Sequence, residues 1–515
     1  MLSSPSPADT PAPVRIASAR GRWILLVTVM GSSVVLLGST VTNVALPRIG
    51  EDFGAGLAVL QWTVNAYMLA LAGLILLGGA LGDRLGRRRV FVWGVLVFAA
   101  ASLLCGLAPD PHTLIAARAL QGVGGALLTP GSLALIEASF HPDDRPRAIG
   151  LWSGLGGVGA ALGPFVGGWL VDGPGWRWTF LLTIPPALLC VPIALRHVPE
   201  SVGTPRAASP GAPRFRQHGF DVTGAVFGVM ALTLVTYALT QARAGGLLAV
   251  GAAAAGVLAG WAFVRAERRG DNPMVPLSIF SSRQFTAVNV ITLCVYAGTG
   301  GFFFLTALEL QIVAGYSALA AGAAMLPTTV LMLLFSSRAA LLAKRLGPRL
   351  PLAVGPSVCG AGMLLMLRAG PDASYVRDIL PALLVTGCGM VLMVAPLSVT
   401  LLSSVDAAHA GLASGVNNAA ARAAGLVAVA GLPLLVGMGP DAYRSAAAFD
   451  ASFSRAMPLC AGLLICGALV ALALLPRTVA AGRTVAAGRR THGKVHGWLM
   501  EPPLVSRFAH HPTAD

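Results

Sequence analysis

Few side chains in this sequence could do chemistry, and most of those sit where charge is costly. Arg118, Arg338 and Arg422 fall inside long apolar runs, and Glu309 lies toward the end of another. A charge at the centre of a bilayer costs about 2.5–3.5 kcal/mol on insertion scales and is tolerated where it faces a wet cavity or a partner. Arg118 is about five residues into its run, roughly 8 Å deep, and Arg422 about eleven, roughly 16 Å deep. Snorkelling suits Arg338 at the end of its run and is open to Arg118, but is hard for Arg422. Asn43, Gln61, Asn65, Tyr67, Gln121, Asn417 and Asn418 share the same apolar surroundings. Apart from Arg338, these groups read together as cavity-lining or coupling residues for a neutral or anionic small molecule. Singly, each could equally be an interhelical hydrogen bond, worth about 0.6 kcal/mol.

Enzyme chemistry finds no such concentration. The nine histidines lie in loops, at the ends of runs or in the tails. There is no phosphate-binding loop, HExxH or nucleophile elbow in context. The string Gly150-Leu151-Trp152-Ser153-Gly154 only imitates the elbow. Cys105, Cys190, Cys294, Cys359, Cys388, Cys460 and Cys466 all lie in apolar runs without a CxxC pair. They read as small buried hydrophobes. No catalytic residue, metal or cofactor is expected.

The elements that position these residues follow from composition. The chain has 515 residues, 55 % hydrophobic and 11 % charged, with a mean hydropathy of +0.75. Soluble domains carry about 25 % charged residues, so a soluble, disordered or disulfide-scaffold protein is excluded. The formal net charge of +15 would suit a nucleic-acid partner. Its placement in short gaps between apolar runs argues against one. About 20 apolar residues cross a bilayer as a helix. Fourteen such runs are predicted, over 23–46, 58–80, 90–108, 113–136, 148–171, 179–195, 220–241, 246–265, 285–308, 317–337, 351–367, 379–402, 411–436 and 457–475.

With the N-terminus inside, the inner segments hold 26 Lys and Arg and the outer loops 7. Positive residues stay cytoplasmic, so both termini are expected inside. The first run follows Arg15, Arg20 and Arg22 and is too long for a signal peptide, so it reads as a retained span. Residues 1–22 and 476–515 are expected as mobile cytoplasmic tails. Between them the predicted order is a six-helix bundle over 23–195, a cytoplasmic linker over 196–219, an inserted helix pair over 220–266, and a second six-helix bundle over 285–475.

The two bundles carry a repeat. LGDRLGRR at 81–88 matches LAKRLGPR at 342–349, and GLWSG at 150–154 matches GLASG at 411–415. Both pairs share one offset. Two membrane halves related by repeat are the usual build of secondary transporters, with a binding site between the halves.

The first inner loop reads Gly79-Ala80-Leu81-Gly82-Asp83-Arg84-Leu85-Gly86-Arg87-Arg88-Arg89. Its glycines allow a tight turn between two helices. Asp83 could accept from an arginine or a helix N-terminus and so latch one half to the other. In the fifth run, Gly159, Gly163, Gly167 and Gly168 let backbones approach closely, and Pro164 bends the helix.

This loop resembles the signature loop of the major facilitator superfamily. Leu114–Gly125, with Arg118 and Gln121, is similar to the family's fourth-span motif, and Gly159–Gly168 to its fifth-span antiporter motif. Thr40–Pro47 and Gln61–Tyr67 resemble the first two spans of the 14-span drug:proton antiporter branch. The resemblance covers roughly 23–475. It implies an all-α membrane fold of fourteen transmembrane helices, as two six-helix bundles plus an inserted pair. It also implies multidrug or antibiotic efflux across the bacterial cytoplasmic membrane in exchange for protons, by a monomer.

One position departs from the branch. Gly38 stands where its members usually carry an acidic residue, and acidic residues are the natural proton carriers inside a membrane. Glu137 and Asp221 lie near inner ends and Glu309 near an outer end, so no acidic residue is central. A cavity with two arginines and no central acid should favour neutral or anionic amphipathic substrates. An anion would leave an inside-negative cell without obligatory proton exchange. An endogenous metabolite or self-made antibiotic is the alternative substrate.

Overall fold

The computed structural model describes residues 13–202, 221–242, 246–270, 273–405, 410–439, 442 and 445–476. The helices are α1 (Ala19–Phe53), α2 (Leu57–Leu85), α3 (Arg87–Gly106), α4 (Pro111–Ser139), α5 (Arg145–Asp172), α6 (Trp178–Leu181), α7 (Ile184–His197), α8 (Val222–Gln241) and α9 (Gly246–Arg269). They continue with α10 (Arg283–Ile312), α11 (Ala318–Ala324), α12 (Leu326–Leu346), α13 (Arg349–Leu365), α14 (Leu380–Ser403), α15 (Ala410–Leu435) and α16 (Ala446–Leu474). Among the described residues, thirteen helical runs are long and apolar enough to cross a membrane. The 28-residue α5 occupies the place of the fifth predicted span. The chain is thus an all-α, multi-pass membrane protein, and every predicted span meets a helix.

The differences have local causes. The sixth predicted span is two helices, α6 and α7, with Pro185 at the start of the second. The tenth is α11 and α12, parted at Met325 just before Pro327. Proline removes a backbone donor and clashes with the preceding turn, so the helix breaks there. The expected mobile N-terminal tail is corrected for residues 13–22. Val14 N–H donates to the Ser139 carbonyl (2.8 Å) and His141 N–H to the Val14 carbonyl (3.1 Å). Arg15 pairs with Asp143 (3.4 Å). Ser18 then caps α1, its hydroxyl accepting from Gly21 N–H. Most of the predicted linker, residues 203–219, and residues 477–515 lie outside the described residues.

The repeat recurs in the packing. α1 packs on α5 and α7, α2 and α3 on α4, and α3 on α7. In the second half α10 packs on α15 and α16, α12 and α13 on α14, and α13 on α16. Gly86 and Gly347, at matching repeat positions, both take left-handed φ values of 106° and 79°. Only glycine adopts those freely. The halves meet through α5 on α11 and through α2 on α15. The pair α8–α9 packs on itself, with α8 also touching α2 and α15. α9 turns Leu247, Leu258 and Trp261 outward, as a lipid-facing helix should.

The fifth-span glycines set the closest approaches. Side-chain carbons at Gly159, Gly163 and Gly167 would meet Ser33, Thr40 and Val41 of α1. One at Gly168 would meet the backbone of Ala318 and Leu319, and one at Gly322 would meet the Pro164 carbonyl. The α5 motif is therefore packed against the first helix of its own half and against α11 of the other. Gly322→Ala should lower the melting temperature in lipid nanodiscs, by the about 1–3 kcal/mol typical of overpacking. Gly462→Ala, whose added carbon meets nothing within 4 Å, should leave it unchanged or raise it.

Candidate functional site

Arg118 is 0 % exposed and does not snorkel. Its Nε–H donates to the Thr63 carbonyl of α2 (3.0 Å), and Nη1 to the Gly38 carbonyl of α1 (3.4 Å) and to Gln121 Oε1. The guanidinium lies 4.4 Å from the Tyr67 ring centroid and 5.7 Å from that of Phe180. Gln121 in turn donates to Ser102 Oγ of α3 (2.7 Å), which also accepts from Thr183 at the α6–α7 junction (3.0 Å). Carbonyls, an amide and ring faces take the place of a counter-ion. Gly38 is part of this arrangement: a side-chain carbon there would sit 3.2 Å from Phe98 and 3.9 Å from Gln121.

Several polar atoms on α1, α2, α4 and α15 are buried and without partners. They are Arg118 Nη2, Asn43 Oδ1, both amide atoms of Asn65, and Arg422 Nε. Tyr67 is also buried, and its hydroxyl donates to the Val35 carbonyl (2.9 Å). Arg422, on α15 of the second half, lies within electrostatic reach of Tyr67 and of Tyr296 on α10. Tyr67 is thus acted on by two arginines, one from each half. Neither arginine has a carboxylate partner among the described residues. A dry polar group without a partner is unfavourable, so such a set suits a ligand carrying acceptors or negative charge.

Among the described residues, three polar contacts join the halves at the end of the bundles away from the N-terminus, the end expected to face outward. Gln61 of α2 donates to the Val429 carbonyl of α15 (2.7 Å). Gln311 of α10 donates to the Val44 carbonyl of α1 (3.1 Å). The Asp172 carboxylate accepts from the N–H groups of Ala318 (3.1 Å) and Leu319 (2.8 Å). Gln61 is therefore an inter-half contact, and it also lines a partly open crevice with Leu57, Leu239, Thr240 and Pro433.

The remaining predicted residues sit apart from this set. Asn417 donates to Asn289 Oδ1 (3.2 Å) and Thr292 Oγ1 (2.7 Å), tying α15 to α10 within one half. Asn418 is exposed and donates to the Ser414 carbonyl of its own helix. Asp83 is held by Arg87, one turn on, at 2.8 Å, and among the described residues it has no partner in the other half. The Gly86 turn presents Arg88 N–H to Glu200 Oε1 (3.1 Å) beyond α7, and a side-chain carbon at Gly86 would fill that carboxylate's place. Gly79 faces Pro130 of α4, and Arg84 lies in the last turn of α2. Sequence reasoning missed Ser102, Thr183 and Asp172. Asp172 lies one helical turn after Gly168, on the face that meets the other half, and that spacing was the available signal.

Two repeat-related helical bundles with an unsatisfied polar set between them define a secondary-transporter architecture. The Major Facilitator Superfamily model matches residues 28–429, and the chain belongs to that family. It is 36 % identical over 435 residues to the puromycin resistance protein pur8 of Streptomyces alboniger, covering 82 % of this chain and 84 % of that protein. It is 34 % identical over 435 residues to the tetracenomycin C resistance and export protein of Streptomyces glaucescens, covering 83 % and 78 %. A POT family transporter solved with 5-aminolevulinic acid shares the fold at a TM-score of 0.66 and 13 % identity, covering 90 % of this chain and 97 % of that one.

The two arginines should respond oppositely to truncation. Arg118→Ala leaves a void and orphaned carbonyls and should cost about 2–5 kcal/mol of stability, the range of large-to-alanine core changes. Arg422→Ala removes a half-buried cation that has no carboxylate partner among the described residues, whose place within an apolar span costs up to about 2.5–3.5 kcal/mol, and should leave the melting temperature unchanged or raised. Thermal unfolding of both variants in the same lipid checks this.

Proposed function

We propose that this protein exports drug-like or antibiotic small molecules across the cytoplasmic membrane by alternating access, in exchange for protons. The observation that carries the reading is the set of unpartnered buried polar atoms contributed by both halves, with Tyr67 acted on by an arginine from each. The three inter-half contacts at the outer end are consistent with a conformation closed to the outside. The direction of transport rests on relatives named for antibiotic resistance and export. The protein works as a monomer in the bilayer, with both termini cytoplasmic. Gly79, Asp83, Arg84, Gly86, Arg87 and Arg88 shape the inner loop, and the α5 motif forms the surface on which the halves rock.

A second reading has its own support. Neither Arg118 nor Arg422 faces a carboxylate among the described residues, and Gly38 contributes none. That set favours an amphipathic anion, such as an acidic metabolite or self-made antibiotic. The inside-negative potential would drive its exit by about 2.3 kcal/mol per charge per 100 mV.

Efflux from proteoliposomes separates these readings when a pH gradient and a potential are imposed independently. One cationic and one acidic compound serve as cargo. Arg422→Ala should slow export of the acidic compound about tenfold, the effect of 1.4 kcal/mol, and leave the cation unaffected. Equal export of the acid by the variant would remove Arg422 from the substrate site. Movement of the acid with potential alone would favour the second reading.

A further inference from the structure

A second buried charge lies away from the arginines. Glu309, one turn before the end of α10, is 0 % exposed, and neither of its carboxylate oxygens receives a hydrogen bond. Among the described residues, the charged group that acts on it is Asp450, near the start of α16 and within hydrogen-bonding reach. The Thr306 hydroxyl is one turn earlier, on the same helical face. It too is fully buried and has no partner. A fully buried carboxylate therefore lies beside a second, half-buried one, with no hydrogen-bond donor to it among the described residues.

Among the described residues, the charges on the neighbouring elements are engaged elsewhere. On α1, Arg48 pairs with Glu51 (2.8 Å), and Asp52 accepts from Trp176 and Arg177. On α16, Arg455 is exposed and bonds back to the Ala451 carbonyl and Ser452 Oγ. On α15, Arg422 lies by Tyr67 and Tyr296. In the turn at Tyr375–Ile379, Arg377 pairs with Asp378 (3.7 Å). α11 and α14 carry no charged residue. A hard metal cation needs about six oxygen ligands. No group of three metal-capable side chains occurs among the described residues. A single proton meets the need with less: it turns one carboxyl into a donor and leaves the other as its acceptor.

We propose that Glu309 and Asp450 together hold one exchangeable proton and form the driving-ion site of the transport cycle, in place of an acidic residue at Gly38. The inference rests on the proton-exchange reading above. The position suits the task. Two residues beyond Glu309, Gln311 bonds to Val44 across the halves (3.1 Å). Opening the outer end would break that contact beside the pair and admit water to it. Loss of the proton would then leave two repelling carboxylates next to the α1–α10 contact, and regaining it would let that contact close.

Infrared difference spectra of the full-length protein in lipid read the proton without any substrate. The wild type minus Glu309→Gln spectrum at pH 7 should show the carbonyl stretch of one protonated carboxyl. That band should disappear at alkaline pH and be indifferent to sodium. No such band, or a band abolished by sodium, would overturn the proposal. In proteoliposomes, with the acidic and cationic compounds above, Glu309→Gln should retain substrate counterflow, which also shows that it folds, and lose stimulation by a pH gradient. Stimulation equal to wild type would overturn the site while leaving proton exchange standing. Wild-type transport indifferent to the pH gradient would instead refute proton exchange, and the infrared band would still decide whether the pair holds a proton.

Discussion

Arg118 is a cation enclosed in a membrane protein with no anion to meet it, and the first bundle is organised around that constraint. It is satisfied by what backbone and uncharged side chains supply: carbonyls from α1 and α2, the amide of Gln121 and two aromatic faces. Through Gln121 and Ser102 the same network reaches α3 and the α6–α7 junction. Gly38 is where a side chain would crowd this cluster, against Phe98 and Gln121. The residue that looked like a missing proton carrier is thus also a packing element. Arg422 has no comparable shell, and the contrast between the two arginines separates a structural cation from one left for a ligand.

Movement of the halves depends on how they touch. Where α5 meets α11, glycine backbones lie against backbone, so the surface is smooth and has few side chains to disengage. Among the described residues the polar contacts between the halves are few, and each uses a backbone group as partner: carbonyls for Gln61 and Gln311, N–H groups for Asp172. Water can replace such partners when the outer end opens. An interface of this kind can be both closed and reversible.

The fold was largely legible in the sequence. Apolar runs of membrane-crossing length are a strong signal, and each of the fourteen meets a helix. The common offset of two short repeats anticipated the matching helix pairings and the paired left-handed glycines at 86 and 347. The fifth-span glycines were legible as close-approach positions because a missing side chain has one main use there. Individual polar roles were not. Asn417 and Gln61 looked alike as polar residues in apolar spans, yet one ties two helices of one half and the other joins the halves. That difference depends on partners 125 and 368 residues away. Asp83 was read as a latch because its loop is rich in arginine, but the Gly86 turn brings Arg87 to it first. Asp450 gave no signal at all, since its meaning comes only from Glu309 on another helix.

The most direct test of the central claim is chemical modification of arginine. The full-length protein in lipid would be treated with phenylglyoxal, and the modified residues mapped by mass spectrometry with and without an exported acidic compound. The account predicts that Arg422 reacts, that the compound protects it, and that Arg118 stays unmodified throughout. Modification of Arg118 with Arg422 untouched, or reaction of Arg422 that no exported compound prevents, would contradict it.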